Sequence, residues 1–170
     1  AASLGTIGVV TPKKEIYGSL TTPDPVGLHR TLNELADEGV THLAVEASSH
    51  GLEQRRLDGL VLAAGAFTNI TRDHLDHHKD FEDYFQQKLR LFSQLLPEGA
   101  AAVVNMDDAE GARVAWTARR GATGANDYGL RLMTVGRSGE TLRLISSERD
   151  GFAQRLVVRH AGVEHRLRLP

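Results

Sequence analysis

Three groups of residues in this chain have types and spacings suited to chemistry. The first is the run Arg72-Asp73-His74-Leu75-Asp76-His77-His78. Imidazoles together with carboxylates suit Mg, Mn or Zn. The same string also reads as a polar loop entering a helix, with Asp80 as N-cap and Asp76, Glu82 and Asp83 favouring its N-terminal end. The second is Glu46, which ends the apolar run Leu43-Ala44-Val45. A carboxylate buried there is costly unless it is paired or metal-bound, whereas a strand-end residue facing water costs nothing.

The third is Lys88. Phe81, Tyr84, Phe85, Phe92, Leu95 and Leu96 form one apolar helical face, and the position that should complete it is a lysine. Its stem can pack while its head reaches water. Only four lysines (13, 14, 79 and 88) stand among the 20 basic residues, so a cation meant merely for solvent would more often be arginine here. Burial disfavours the charged amine and lowers its pKa. A neutral amine is a nucleophile; adding to carbon dioxide, it becomes a carbamate and turns a cation into a metal-binding anion. Of the eight histidines, four (50, 74, 77 and 78) fall in the same middle stretch. Ser48 and Ser49 lack the Gly-x-Ser-x-Gly frame of a nucleophile elbow.

Composition bounds what surrounds these groups. The chain has 170 residues, 41% hydrophobic and 25% charged, which fits a domain with a buried core. The net charge of -2 carries no basic excess for nucleic acid or an anionic membrane. The longest nearly apolar stretch, Leu60 to Phe67, is too short to span a bilayer. The chain does not open on a basic n-region and an apolar h-region, so no export signal is expected. Cysteine is absent, which excludes disulfides, thiolate zinc sites and cysteine nucleophiles. A cytoplasmic protein is the expectation.

The elements that must position these groups alternate. A β-leaning run covers Ser3 to Val10. Thr21-Thr22-Pro23-Asp24-Pro25 is a turn. Leu28, Leu32, Leu35 and Ala36 predict a helix over 25–38, stopped at Gly39. Buried strands are expected at 41–47 and 63–70, a helix over 81–96 with Pro97 after it, a strand at 101–105 and a helix over 107–120 capped by Asp107 or Asp108. Strands separated by helices imply an α/β fold with a mostly parallel sheet flanked by helices, and ligands beyond the carboxyl ends of the strands. After about Gly121 short alternating runs separated by Gly136, Gly139, Gly151 and Gly162 predict antiparallel hairpins. Residues 1–120 thus read as the α/β part of one domain, and 121–170 as its antiparallel β extension.

Four motifs in register resemble the MurE-type Mur ligases, the UDP-N-acetylmuramoyl-tripeptide synthetases of peptidoglycan synthesis. They are Leu20-Thr21-Thr22-Pro23-Asp24-Pro25, Glu46-Ala47-Ser48-Ser49-His50-Gly51-Leu52, Phe67-Thr68-Asn69-Ile70-Thr71-Arg72-Asp73-His74-Leu75-Asp76 and Tyr84-Phe85-Gln86-Gln87-Lys88. The likeness is strong from about Gly5 to Asp108. It implies a central ATPase-like domain in which Glu46 and His74 ligate Mg2+ and a carbamylated Lys88 supports the metal. Thr21, Thr22, Ser48, Gln54 and Arg56 would hold UDP-MurNAc-L-Ala-D-Glu; Leu20 stands where some members have Asn. The implied reaction is ATP-dependent amide formation: ATP phosphorylates the terminal carboxylate, and an amine of a diamino acid attacks the acyl phosphate.

No Gly-x-x-x-x-Gly-Lys-Ser/Thr string occurs, although the family cradles ATP on one. The expectation is therefore a piece of the central domain, without the phosphate loop, the uridine-gripping domain or the domain that selects the amino acid. Such a piece should not turn over alone, and its cut sheet edges should favour self-association. Two other readings stand beside it: a metal-dependent hydrolase using His74, Asp76 and His77, and a non-catalytic binding module.

Overall fold

The structure, a computed structural model, describes residues 1–18, 20–71, 77–120 and 129–170. It divides into two compact units, Ala1–Val61 with His74–Leu91 and Leu62–Asp73 with Phe92–Pro170, taking the described residues of each.

In the first unit the opening β-leaning run folds back on itself. β1 (Ala2–Gly5) and β2 (Gly8–Val10) pair antiparallel about a two-residue turn. Gly8 has φ +102, and a Cβ there would meet the carbonyl of Ile16 at 2.1 Å, so only glycine fits. A short β3 (Glu15–Ile16) adds to β2, and β4 (Leu43–Val45) runs parallel to β1 with Leu4 opposite Val45. The order is β3-β2-β1-β4.

α1 (Pro25–Asp37) follows the expected course. Asp24 caps it by accepting from the backbone of Val26 and Gly27, and Gly39 ends it at φ +82. Leu28 and Leu35 are buried, each contributing roughly 1.5–3 kcal/mol. The strand expected at 41–47 is shorter and not buried: Ala44 is exposed because, among the described residues, β4 has a neighbour only on its β1 side.

α2 (Ser49–Glu53), capped by Ser48, was not expected, since five residues are too few to show a helical period. α3 (Phe81–Arg90) begins where Asp80 accepts from the backbone of Asp83 at 2.9 Å. Tyr84, Phe85 and Leu89 are buried. The helix expected to continue to 96 does so as a π turn over Leu91–Leu95, a widened turn of the kind often found at functional sites.

The second unit is one six-stranded sheet, β10-β9-β8-β7-β6-β5. β5 (Ala64–Phe67), β6 (Ala101–Asn105) and β7 (Arg131–Gly136) are parallel, with α4 (Gly111–Arg120) packed on β6 and β7. β8 (Leu142–Asp150), β9 (Ala153–His160) and β10 (Val163–Leu169) are antiparallel. The hairpin run begins one strand later than expected: β7 and β8 pair parallel, Val135 with Leu142 and Gly136 with Arg143. Side chains hold the intervening turn. Asp107 accepts from the backbone of Arg137 and Ser138, at 2.7 and 2.9 Å, and Thr134 accepts from the backbone of Glu140. Asp107 therefore does not cap α4, which starts at Gly111 rather than 107. Asp108 accepts from the backbone of Glu110 at 2.9 Å and of Ile70 at 3.1 Å.

The architecture is α/β, with parallel strands flanked by helices and antiparallel strands at the C-terminal end, as expected. No described helix is long and apolar enough to cross a membrane.

Candidate functional site

The first unit gathers most of the residues singled out from the sequence. The Thr21-Thr22 turn and the loop after β4 are bonded into one piece. Thr22 is wholly buried. Its hydroxyl donates to the carbonyl of Glu46 at 2.9 Å and accepts from the Ser48 backbone at 3.1 Å and from the Ser48 hydroxyl at 3.0 Å. One donor and two lone pairs are all a hydroxyl has. The Thr22 hydroxyl thus positions the loop. Ser48 Oγ in turn accepts from the Gly51 backbone at 3.1 Å and caps α2.

Glu46 lies at the exposed end of β4, so the water-facing alternative is the correct one. Its Oε2 accepts from the backbone of Thr6 at 2.9 Å and from the Thr6 hydroxyl at 3.0 Å. The Thr6 proton is committed to Glu46, so the Thr21 hydroxyl, 3.2 Å away, donates to Thr6 Oγ1. Gly5 makes room for this chain: a Cβ there would come 2.6 Å from Glu46 Oε2. Among the described residues Glu46 Oε1 keeps its lone pairs free.

Lys88 leaves α3 with its stem packed and its amine donating to the carbonyl of Ala47 at 2.9 Å. Desolvation pulls the amine below the usual lysine range, and the nearby Glu46 carboxylate only partly restores it. The apolar-face anomaly of the sequence therefore marks a half-buried amine beside the strand-end acid.

Arg56 and Gln54 form a second polar corner. Arg56 donates through Nε at 3.1 Å and Nη2 at 2.6 Å to Gln54 Oε1, and through Nη1 to the carbonyl of Thr22. Three of the five guanidinium N–H groups are used, leaving a cationic edge next to the Thr-Thr turn. Thr21, Thr22, Glu46, Ser48, Gln54, Arg56 and Lys88 thus lie on one bonded framework. His74 and Asp76 fall outside the described residues. His77 is bonded at Nε2 to Glu53 Oε2, 2.6 Å away.

Sequence reasoning missed Thr6, which orients Glu46, and the closeness of His50 to His77 and His78. Nothing in the spacing marks Thr6. The crowding of histidines between 50 and 78 was a signal for the latter.

The donor set fits a hard divalent cation. Mg2+ prefers oxygen ligands; Glu46 Oε1 supplies one at an open strand end, and a carbamate on Lys88 would supply more where the amine already points.

The sequence matches the family described as Mur ligase middle domain over residues 1–165. The chain belongs to this family. It is 51% identical to the UDP-N-acetylmuramoyl-L-alanyl-D-glutamate–2,6-diaminopimelate ligase of Bradyrhizobium diazoefficiens, over 100% of this chain and 34% of the relative. It is 54% identical to the ligase of the same name from Mesorhizobium japonicum, again over 100% and 34%. A solved structure of a ligase of that name superposes with a TM-score of 0.80 at 27% identity, covering 98% of this chain and 32% of the other. A MurF structure from Acinetobacter baumannii, at 15% identity and a TM-score of 0.58 over 75% of this chain and 25% of its own, shares the fold. This Mur ligase middle domain spans about a third of the length of the curated relatives it matches.

Proposed function

We propose that this chain is the middle domain of an ATP-dependent ligase that joins 2,6-diaminopimelate to UDP-MurNAc-L-Ala-D-Glu. The observation that carries the reading is the Lys88 amine: desolvated, donating to Ala47 and adjacent to Glu46 on a framework tied to the Thr-Thr turn. Likeness to relatives named for that reaction supports it.

Each residue then has a task. Burial favours the neutral form of the Lys88 amine, in which Nζ adds to the carbon of carbon dioxide and releases a proton, leaving a carbamate. Thr6 and Thr21 hold Glu46 with one oxygen free. Mg2+, held by Glu46, His74 and the modified Lys88, would offset the repulsion between substrate carboxylate and triphosphate. Arg56, steadied by Gln54, gives its free edge to an anionic group of the muramoyl peptide. Thr21 and Ser48 line the same face, and Thr22 keeps them in register. The substrate carboxylate attacks the γ-phosphorus and releases ADP. The diaminopimelate amine then attacks the acyl carbon and releases phosphate. We assign the triphosphate cradle and the amino-acid pocket to parts of the ligase beyond this chain, so the chain alone should bind without turnover.

The test is titration of UDP-MurNAc-L-Ala-D-Glu into the folded chain, with and without Mg2+. Saturable binding that Arg56→Ala weakens is expected. A chain that is folded by circular dichroism yet shows no binding in either condition would overturn the assignment of this surface.

A further inference from the structure

Three imidazoles converge in the first unit on side chains that the proposed ligase chemistry leaves unused. His50 comes from α2, and His77 and His78 lie just before α3. Ring centroids are 3.6 Å apart for His50 and His77, 5.0 Å for His77 and His78, and 5.8 Å for His50 and His78. One nitrogen from each ring lies within 4.8 Å of the others. Three nitrogens at about 2.0–2.1 Å from a tetrahedral ion sit a little over 3 Å apart, so His50 and His77 must turn out of their stacked arrangement to meet His78 at one centre.

His78 supplies an independent sign that something belongs there. Its side chain is wholly buried, yet among the described residues neither Nδ1 nor Nε2 has a hydrogen-bond partner. A buried imidazole left so is costly, and binding an ion is one way to resolve it. Tyr84 stacks on the ring at 5.2 Å and fixes its plane.

Carboxylates stand behind two of the three rings. Glu53 Oε2 is 2.6 Å from His77 Nε2, which leaves Nδ1 to face an ion. Asp83 Oδ2 stands 3.5 Å from His78 Nδ1, near but not hydrogen-bonded, so a small shift would engage it and leave Nε2 for the ion. Asp83 is itself fixed by the Lys79 backbone, which donates to it at 3.2 Å. A metal-bound histidine nearly always gives its other nitrogen to such a partner, which sets tautomer and orientation.

We propose that His50, His77 and His78 form a binding site for a borderline divalent transition-metal ion such as Zn2+, with Glu53 and Asp83 orienting two of the rings. Imidazole ligands select Zn2+, Co2+, Ni2+ or Cu2+ over Mg2+, so the site differs in kind from the oxygen-rich corner at Glu46. His77 is exposed and gives the ion a way in; the fourth position is left for water or substrate. The site stands on its own geometry, whether or not the ligase reading holds.

The test is titration of the untagged, metal-free chain with Co2+, read by its visible d–d absorption. One equivalent should bind with a tetrahedral-type spectrum, be displaced by Zn2+ and persist in excess Mg2+. Glu53→Gln should weaken binding roughly 10–100-fold, as loss of an outer partner does, and His77→Asn should weaken it more. His77 is exposed, so its variant should keep the fold even if one at buried His78 does not. A folded wild-type chain without a cobalt spectrum, or a spectrum and affinity unchanged in His77→Asn and His50→Gln, would overturn the proposal.

Discussion

Gly51 lies so close to Thr22 that a Cβ on it would come 2.7 Å from Thr22 Cβ and 2.9 Å from Thr22 Oγ1. The two motifs carrying these residues are far apart in sequence, and this contact is what lets them lock. Gly51→Ala must push Thr22 away or shift α2. It should lower stability by about 1–3 kcal/mol, as overpacking does, and weaken UDP-MurNAc-dipeptide binding. Denaturant melts and calorimetric titration would measure both.

Thr22→Val keeps the shape and removes the hydroxyl. The Glu46 carbonyl and the Ser48 backbone N–H then lose their partner in a buried place. The expected cost is about 1–3 kcal/mol, with Thr22→Ser recovering most of it. Equal stability of the valine variant would show that water satisfies these groups.

Lys88 should carry the mass of one carbon dioxide in part of the population when the chain is held in bicarbonate and analysed intact under non-denaturing conditions. The fraction should rise with pH up to the usual lysine range, because only the neutral amine reacts, and its depressed pKa brings reaction to lower pH than at a solvent lysine. Lys88→Arg should show none. A mass shift spread over other lysines instead would remove the special role of this amine.

Asp107 offers a pH test in the second unit. Backbone N–H groups of Arg137 and Ser138 hold its carboxyl below the ordinary aspartate value of 3.8. A carboxylate with a depressed folded pKa stabilises the fold above its unfolded value, and loses that contribution as pH falls through the folded one. Asp107→Asn should therefore be less stable than wild type at neutral pH. The gap should close as pH drops below about 3.8. Melting temperatures from pH 2 to 7 would reveal a gap that does not close.

Phe85 has no exposed surface and anchors α3. Phe85→Ala should cost about 3–5 kcal/mol and release Lys88 from its desolvated position. Carbamylation and thermal stability should fall together.

Much of this was legible in the sequence where one physical signal dominated. Asp24, Pro25 and Gly39 bracketed α1, and the Phe81–Leu96 stripe exposed Lys88 as its odd member. Signals that depend on distant partners were not legible. Asp107 read as a helix cap because local spacing cannot reveal that it serves a turn 30 residues later. Nor could local spacing show that the Thr22 hydroxyl ties the turn to Glu46 and Ser48. Glu46 looked costly in an apolar run only while β4 was taken to be buried.

The Lys88 amine sits beside the Glu46 carboxylate, which favours its charged form. A carbamate there would set two anions side by side. The adduct should therefore persist only while a cation sits beside it. Chelation should discharge carbon dioxide from the helix, and restoring the ion should draw it back.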